Sequence, residues 1–328
     1  MLEALHTNMD VEYHHLSIGS TVESFNSSTT RYRVSDQLGH GSFGHVLKVS
    51  SLAGQEVFAM KVMSTTGQHR NTPMKTVFQS EASKLMQLEG HEHIIELRDT
   101  VVLPKINRAC MIMDLATERD LESVFRRIPK NQHEALSKLV AHEMTEALQY
   151  IHSKNIVHRD IKPDNILAFL AGTERNPRYL SKLADFGIAG EIDDDKEIDW
   201  PELPHQPMSG RAFRHYRAPE TYPRGTGIHT RYFEAKADVY SLGVVLAQIH
   251  NNTILSSREP SLPITPAHAN SLVKHMLEKD PARRASALAC KRFLWVQEGA
   301  TVILLKATNT SDGNGEISNS MKRLSIEH

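Results

Sequence analysis

The chain has 328 residues, enough for one large or two small domains around a substantial buried core. With 40% apolar residues, 23% charged residues and a formal net charge of −1, it lacks the basic surplus of a nucleic-acid binder, and its apolar runs are too short and interrupted to span a bilayer. Two cysteines, Cys110 and Cys290, argue against a disulfide framework and for a reducing compartment, so the expected location is intracellular, cytoplasmic and/or nuclear, with no nucleic acid and no membrane as partner.

Residues 1–31 mix Ser, Thr, His, Asn and acids without a sustained period and read as a disordered N-terminal extension. From Tyr32 the pattern becomes strand, turn, strand, and Gly39, Gly41 and Gly44 fall in a Gly-x-Gly-x-x-Gly turn flanked by Leu38 and Val46. Backbone without Cβ atoms can approach phosphate oxygens closely, although an ordinary hairpin uses glycines in the same way. Ala59 and Lys61 lie on the next strand. A helix over 76–88 carries Val77, Glu81, Leu85 and Leu88 on one face, and an acid on a packed face calls for a cation such as Lys61. Residues 94–97 and 109–113 read as two more strands, and Asp114, Leu115 and Ala116 lead into a second unit.

That unit opens with a helix whose apolar face is Leu136, Leu139, Val140, Met144, Ala147, Leu148 and Ile151. The polar run His158-Arg159-Asp160-Ile161-Lys162-Pro163-Asp164-Asn165 follows, then a surface hairpin marked by Gly172, Asn176 and Pro177, then Asp185-Phe186-Gly187. Singly, Asp, Asn and Pro favour loops in any protein. Together they supply a carboxylate base, a lysine and two metal-binding groups, the set that moving a phosphoryl group requires.

On these motifs, with Ala218-Pro219-Glu220, Asp238 and Arg284 following in family order, residues 32–294 resemble the eukaryotic protein kinases of serine/threonine type. The resemblance implies an α+β, two-lobed protein-kinase-like fold: a small, mostly β N-lobe over 32–115, a larger, mostly α C-lobe over 116–296, and a flexible tail over 297–328. It implies ATP and Mg²⁺ as cofactors and a protein substrate as partner; oligomeric state is left open. By resemblance, Asp160, Lys162, Lys61 and Glu81 are catalytic, and Asn165 and Asp185 hold metal. Leu38, Gly39, Gly41, Gly44, Val46, Ala59, Lys61, Met113, Asp114, Ala116 and Leu167 hold the nucleotide. In the family His158 and Phe186 stack with Leu85 and Leu97, Asp238 bonds the catalytic loop, and Glu220 pairs with Arg284.

The chain departs from the family pattern in several places. Phe213 replaces a usual Thr or Ser, the spacing from Asp238 to Arg284 is short and holds a Pro-rich stretch at 259–266, and acids crowd the run from Glu191 to Asp199, where a carboxylate would substitute for an activating phosphate on Arg159. Beside a serine/threonine kinase, these departures keep a second reading open: a pseudokinase acting as a nucleotide-binding or scaffolding module.

Overall fold

In a computed structural model, the described residues are 16–27, 29–41, 44–54, 56–66, 68–69, 72–173, 176–192, 216–221, 234–251 and 267–302. Phe213, the acids from Asp193 to Asp199, the Pro-rich stretch and the tail beyond 302 lie outside them.

Alternation of apolar and polar residues builds the first lobe. In β3 (Gly44–Ser51), Leu47 and Val49 are buried while Lys48 between them is not, the two-residue period of a sheet with one covered face. Six antiparallel strands run in the order β1-β2-β3-β4-β8-β7, where β1 is Thr21–Glu23, β2 Arg31–Gly41, β4 Val57–Ser64, β7 Leu97–Leu103 and β8 Arg108–Asp114. A two-residue pair, β5 (Gln68–His69) with β6 (Thr72–Pro73), precedes helix α1 (Met74–Gln87). That helix turns Val77, Phe78, Glu81 and Leu85 inward.

Two expectations fail here. Residues 1–31 are not disordered throughout: Thr21–Glu23 pairs in register with 31–33, and Val22 is buried. The same segment then crosses to the opposite edge of the sheet, where Phe25 N donates to Thr100 O at 2.8 Å and Asn26 Nδ2 to Asp99 Oδ1 at 2.9 Å. Tyr32 anchors it by donating to Asp99 Oδ2 at 2.9 Å. A three-residue strand shows too little period to be read from sequence. Second, Ile94 and Ile95 are buried but form only an isolated parallel bridge to Leu183, not a strand. Ile95 N donates to Leu183 O and Leu183 N to His93 O, both at 2.9 Å, and the strand starts only at Leu97.

The second lobe is helical: α2 (Leu121–Arg127), α3 (His133–Ser153), α4 (Glu234–Asn251), α5 (Ala267–Met276), α6 (Ala287–Lys291) and α7 (Leu294–Glu298). Asp120 caps α2 by accepting from Ser123 N at 2.7 Å. The apolar face of α3 packs on α4, whose Val239, Leu242 and residues 244–247 are all buried. A Cβ on Gly243 would come within 2.7 Å of Met276, so glycine permits this close approach of α5. Strand β9 (Ile156–Val157) pairs with β12 (Gly190–Glu191), and β10 (Ile166–Thr173) with β11 (Asn176–Leu183) forms the predicted hairpin. The predicted flexible tail begins too early at 297, because residues 299–301 form a turn against α3. A Cβ on Gly299 would lie 2.2 Å from Lys138 O, and Val302 packs on the core.

Arg284 has only 1% of its surface exposed, yet its guanidinium is fully occupied. It donates to Glu220 Oε1 and Oε2 at 2.5 and 2.9 Å, to Glu278 O at 2.8 Å and to Lys236 O at 3.0 Å. Arg284→Ala strands a Glu220 whose side chain is 21% exposed. The expected loss is about 3 kcal/mol, read as a fall in Tm on the order of 5–10 °C. An unchanged melting curve would show that the pair carries no stability.

Glu143 of α3 is buried, and its Oε2 accepts from Ser181 N of β11 at 2.9 Å. Burial pushes its carboxyl from an ordinary 4.5 up to about 8. The folded state therefore keeps this proton to a higher pH than the unfolded state does, and stability falls as pH rises between those values. Glu143→Gln keeps an acceptor for Ser181 and removes the titration. In denaturant titrations at pH 5 and pH 8, the variant should gain roughly 2–4 kcal/mol on the wild type across that interval, and parallel pH profiles would contradict the assignment.

Candidate active site

The cleft between the lobes is lined by strand positions whose register brings them together. Val46 pairs with Lys61 across β3–β4, and Ala59 pairs with Met113 across β4–β8. On the other lobe, Leu167 lies in β10 and bridges Asp120. Val46, Ala59, Met113, Ala116 and Leu167 are all half-buried, as residues lining an open cleft should be, and Leu38 is 41% exposed at its mouth. Gly39 and Gly41 close β2 where it turns into β3. At Gly44 glycine is obligatory, because a Cβ would sit 1.9 Å from Val62 O.

Deep in the cleft, Lys61 Nζ donates to Glu81 Oε1 and Oε2 at 2.6 and 2.9 Å and to Asp185 Oδ1 at 2.8 Å. Burial alone would lower the Lys61 pKa, but the carboxylates of Asp185 and Glu81 hold it above its ordinary value. Burial likewise pulls Asp185 upward, and Lys61 reverses this, keeping it below the usual carboxylate range. For Glu81 burial wins and raises the pKa against the pull of Lys61. The site thus keeps a charged ammonium beside an ionised Asp185.

A second cluster surrounds Asp160. Its Oδ2 accepts from Lys162 Nζ and from Asn165 Nδ2, both at 2.8 Å, and Asn165 Nδ2 also donates to Asp160 O at 2.8 Å. Asp160 Oδ1 is buried with no hydrogen-bond partner among the described residues. One carboxylate oxygen is held in place and the other is left as an acceptor.

Both clusters rest on strained backbone. Arg159 at φ 68° and Asp185 at φ 65° adopt the left-handed region, costing on the order of 1–3 kcal/mol each. Asp238 of α4 holds the loop in place: Oδ2 accepts from His158 N and Oδ1 from Arg159 N, both at 2.8 Å, and His152 Nε2 lies 3.0 Å from Oδ2. His158 donates through Nε2 to Ala184 O at 3.0 Å, beside Asp185, and meets the edge of Phe186 with 4.8 Å between ring centroids. Of the expected column, His158 meets Phe186, while Phe186 and Leu85 belong to one continuous core that joins the lobes and against which Leu97 packs. The Arg159 guanidinium lies against Gly190, where a Cβ would come within 2.1 Å of it.

Some contributors are not visible from sequence. His152 follows the last apolar residue of α3 with no periodic signal, and Lys84 is a buried cation on α1 whose pKa burial lowers, opposed by Glu191. The Asp114 side chain contacts Arg98 and Lys182, whereas sequence reading assigned a role only to its backbone. As for a cation, Asn165 turns its amide nitrogen to Asp160, leaving its side-chain carbonyl oxygen to ligate, and its backbone oxygen accepts from Ala184 N at 2.9 Å, next to Asp185. Among the described residues no group of three or more His, Cys, Asp or Glu could hold a metal by itself. A pair of hard oxygen donors without an all-protein cage suits Mg²⁺, which takes its remaining ligands from substrate phosphates and water.

The family model described as the protein kinase domain matches residues 32–296. The chain is 28% identical over 293 residues to meiosis-specific serine/threonine-protein kinase MEK1 of Saccharomyces cerevisiae, covering 79% of this chain and 56% of that protein. It is 26% identical over 306 residues to ovarian-specific serine/threonine-protein kinase Lok of Drosophila melanogaster (86% and 60%). To extracellular signal-regulated kinase 2 of Dictyostelium discoideum it is 31% identical over 219 residues (67% and 54%). The chain spans about half the length of the curated relatives it matches.

Asp238→Asn tests whether this carboxylate sets the loop. The amide would turn a donor toward groups that themselves donate, leaving at least one buried N–H unsatisfied at a cost of about 1–3 kcal/mol. A lower Tm is therefore expected for the variant. An unchanged melting curve would show that Asp238 does not anchor the loop.

Proposed function

The chain belongs to the protein kinase family, and from that membership we propose that it is an active serine/threonine protein kinase transferring the γ-phosphoryl group of ATP to Ser/Thr hydroxyls of protein substrates. The observation that carries this reading is the bridging of Glu81 and Asp185 by Lys61, with both contacts under 3 Å. Such a bridge needs α1 turned inward and Asp185 facing the cleft at once, the two conditions a kinase must meet together. It weighs against the pseudokinase reading.

In the proposed reaction the substrate hydroxyl oxygen attacks the γ-phosphorus as the bond to the β-phosphate oxygen breaks, and ADP leaves. Asp160, through Oδ1, takes the hydroxyl proton, and Lys162, steadied by Asp160 Oδ2, offsets negative charge on the moving group. Lys61 orients the α- and β-phosphates, kept in place by Glu81. Asp185 and Asn165 would hold Mg²⁺, which when bound offsets charge between the β- and γ-phosphates. Leu38, Gly39, Gly41 and Gly44 would cover the phosphates, while Val46, Ala59, Met113, Leu167 and the backbone at Asp114 and Ala116 would enclose the adenine. Lys162, at its place two residues after the base, is the feature that favours serine and threonine over tyrosine.

We assign residues 16–115 to the N-lobe and 116–302 to the C-lobe. Cys110 and Cys290 are both buried and unpaired, with thiols that burial pushes up to about 12, which suits a reducing cytoplasm or nucleus. No helix among the described residues is long and apolar enough to cross a membrane.

Radiolabelled ATP-Mg²⁺ with a degenerate serine/threonine peptide library tests the proposal. Wild type should label the peptides, phosphoamino-acid analysis should return phosphoserine or phosphothreonine, and Lys61→Met and Asp185→Asn should each lose at least about a hundredfold in kcat, about 2.7 kcal/mol, while keeping the wild-type circular dichroism spectrum. Phosphotyrosine as the product, or either variant retaining more than about a tenth of the wild-type rate, an effect below 1.4 kcal/mol, would overturn it.

A further inference from the structure

Asp114 is the last residue of β8, and its carboxylate is shared between the lobes. Oδ1 accepts from Arg98 Nε at 2.7 Å, and Oδ2 accepts from Lys182 Nζ at 3.0 Å. Arg98 reaches it because β7 is irregular there: Leu97 pairs with Met113 and Asp99 with Ile112, so Arg98 is an extra residue opposite no partner. Bulges of this kind re-aim a side chain. Lys182, on β11, pairs directly across the hairpin with Leu167, and its ammonium stands 5.3 Å over the Phe169 ring.

The two contacts are unequal. Asp114 and Lys182 are only 16% and 15% exposed, whereas Arg98 is 43% exposed, so solvent screens the Lys182 contact least. Opening the cleft by rotation about 114–116 would draw the hairpin away from β7, and the shared carboxylate would have to release one of its cations.

We propose that Arg98, Asp114 and Lys182 form an interlobe clamp, a set of positioning residues that holds the 114–116 backbone against Leu167 and thereby sets how long an adenine nucleotide stays bound. This rests on the nucleotide-binding reading of the cleft. A connection held in its bound shape loses less freedom when the nucleotide arrives and opens less often to release it.

The test is stopped-flow release of a fluorescent N-methylanthraniloyl-ADP from the full chain in Mg²⁺, with Tm recorded for every variant. Lys182→Met should speed release roughly three- to tenfold, Lys182→Arg should stay within about twofold of wild type, and Asp114→Asn combined with Lys182→Met should add little to either single change. In steady state, Lys182→Met should raise KM for ATP and leave KM for the peptide unchanged. A purely structural role would lower Tm without changing release. If wild type binds nucleotide and Lys182→Met releases it at the wild-type rate, the clamp is wrong. If wild type binds no nucleotide, the functional reading fails first.

Discussion

A buried ammonium stays charged only where carboxylates surround it, and at Lys61 they come from two different parts of the molecule. Glu81 arrives on α1 and Asp185 on the segment after β11, so the charge balance in the cleft can close only when both elements are in place. Remove either carboxylate from this geometry and the lysine must find water or lose its proton. The same constraint explains why α1 carries an acid on its packed face: Glu81 is 1% exposed, and its carboxylate is matched there by Lys61. One ion cluster thus couples the position of α1 to the placement of Asp185.

The polar loop below the cluster obeys a different rule. One of its residues, Arg159, holds left-handed backbone, a state that needs compensation from outside the loop. Asp238 provides it from α4, a helix with a long run of buried residues from 242 to 249, with His152 adding a third contact from α3. A rigid apolar helix is therefore the reference against which Asp160 is set. Positional precision at the site comes from the core and not from the loop itself.

Much of this was legible in the sequence because the chemistry clusters along the chain. His158 to Asn165 and Asp185 to Gly187 stand as short motifs on which the family resemblance rests, and the periods of α1 and α3 expose Glu81 and the core face. What could not be read depends on distance. The carboxylate of Asp114 finds its cations 16 and 68 residues away, one of them only because β7 bulges. Ile94 and Ile95 look like strand because apolar runs do, whereas a single bridge buried against Leu183 needs those side chains equally. The extension and the tail misled for one reason: polar composition signals a lack of core, yet a few backbone bonds or a single glycine contact dock a polar segment on a core built elsewhere.

The segment that joins both edges of the N-lobe sheet separates two kinds of boundary. The family match starts at Tyr32, but the folded unit starts earlier, since Val22 and the Asp99 contacts of Asn26 lie before that residue. A fragment cut at the family boundary would expose the backbone of β2 on one side and of β7 on the other, two open edges ready to pair with another chain. The family match marks where the shared pattern begins, whereas both edges of this sheet are covered by residues that lie before it.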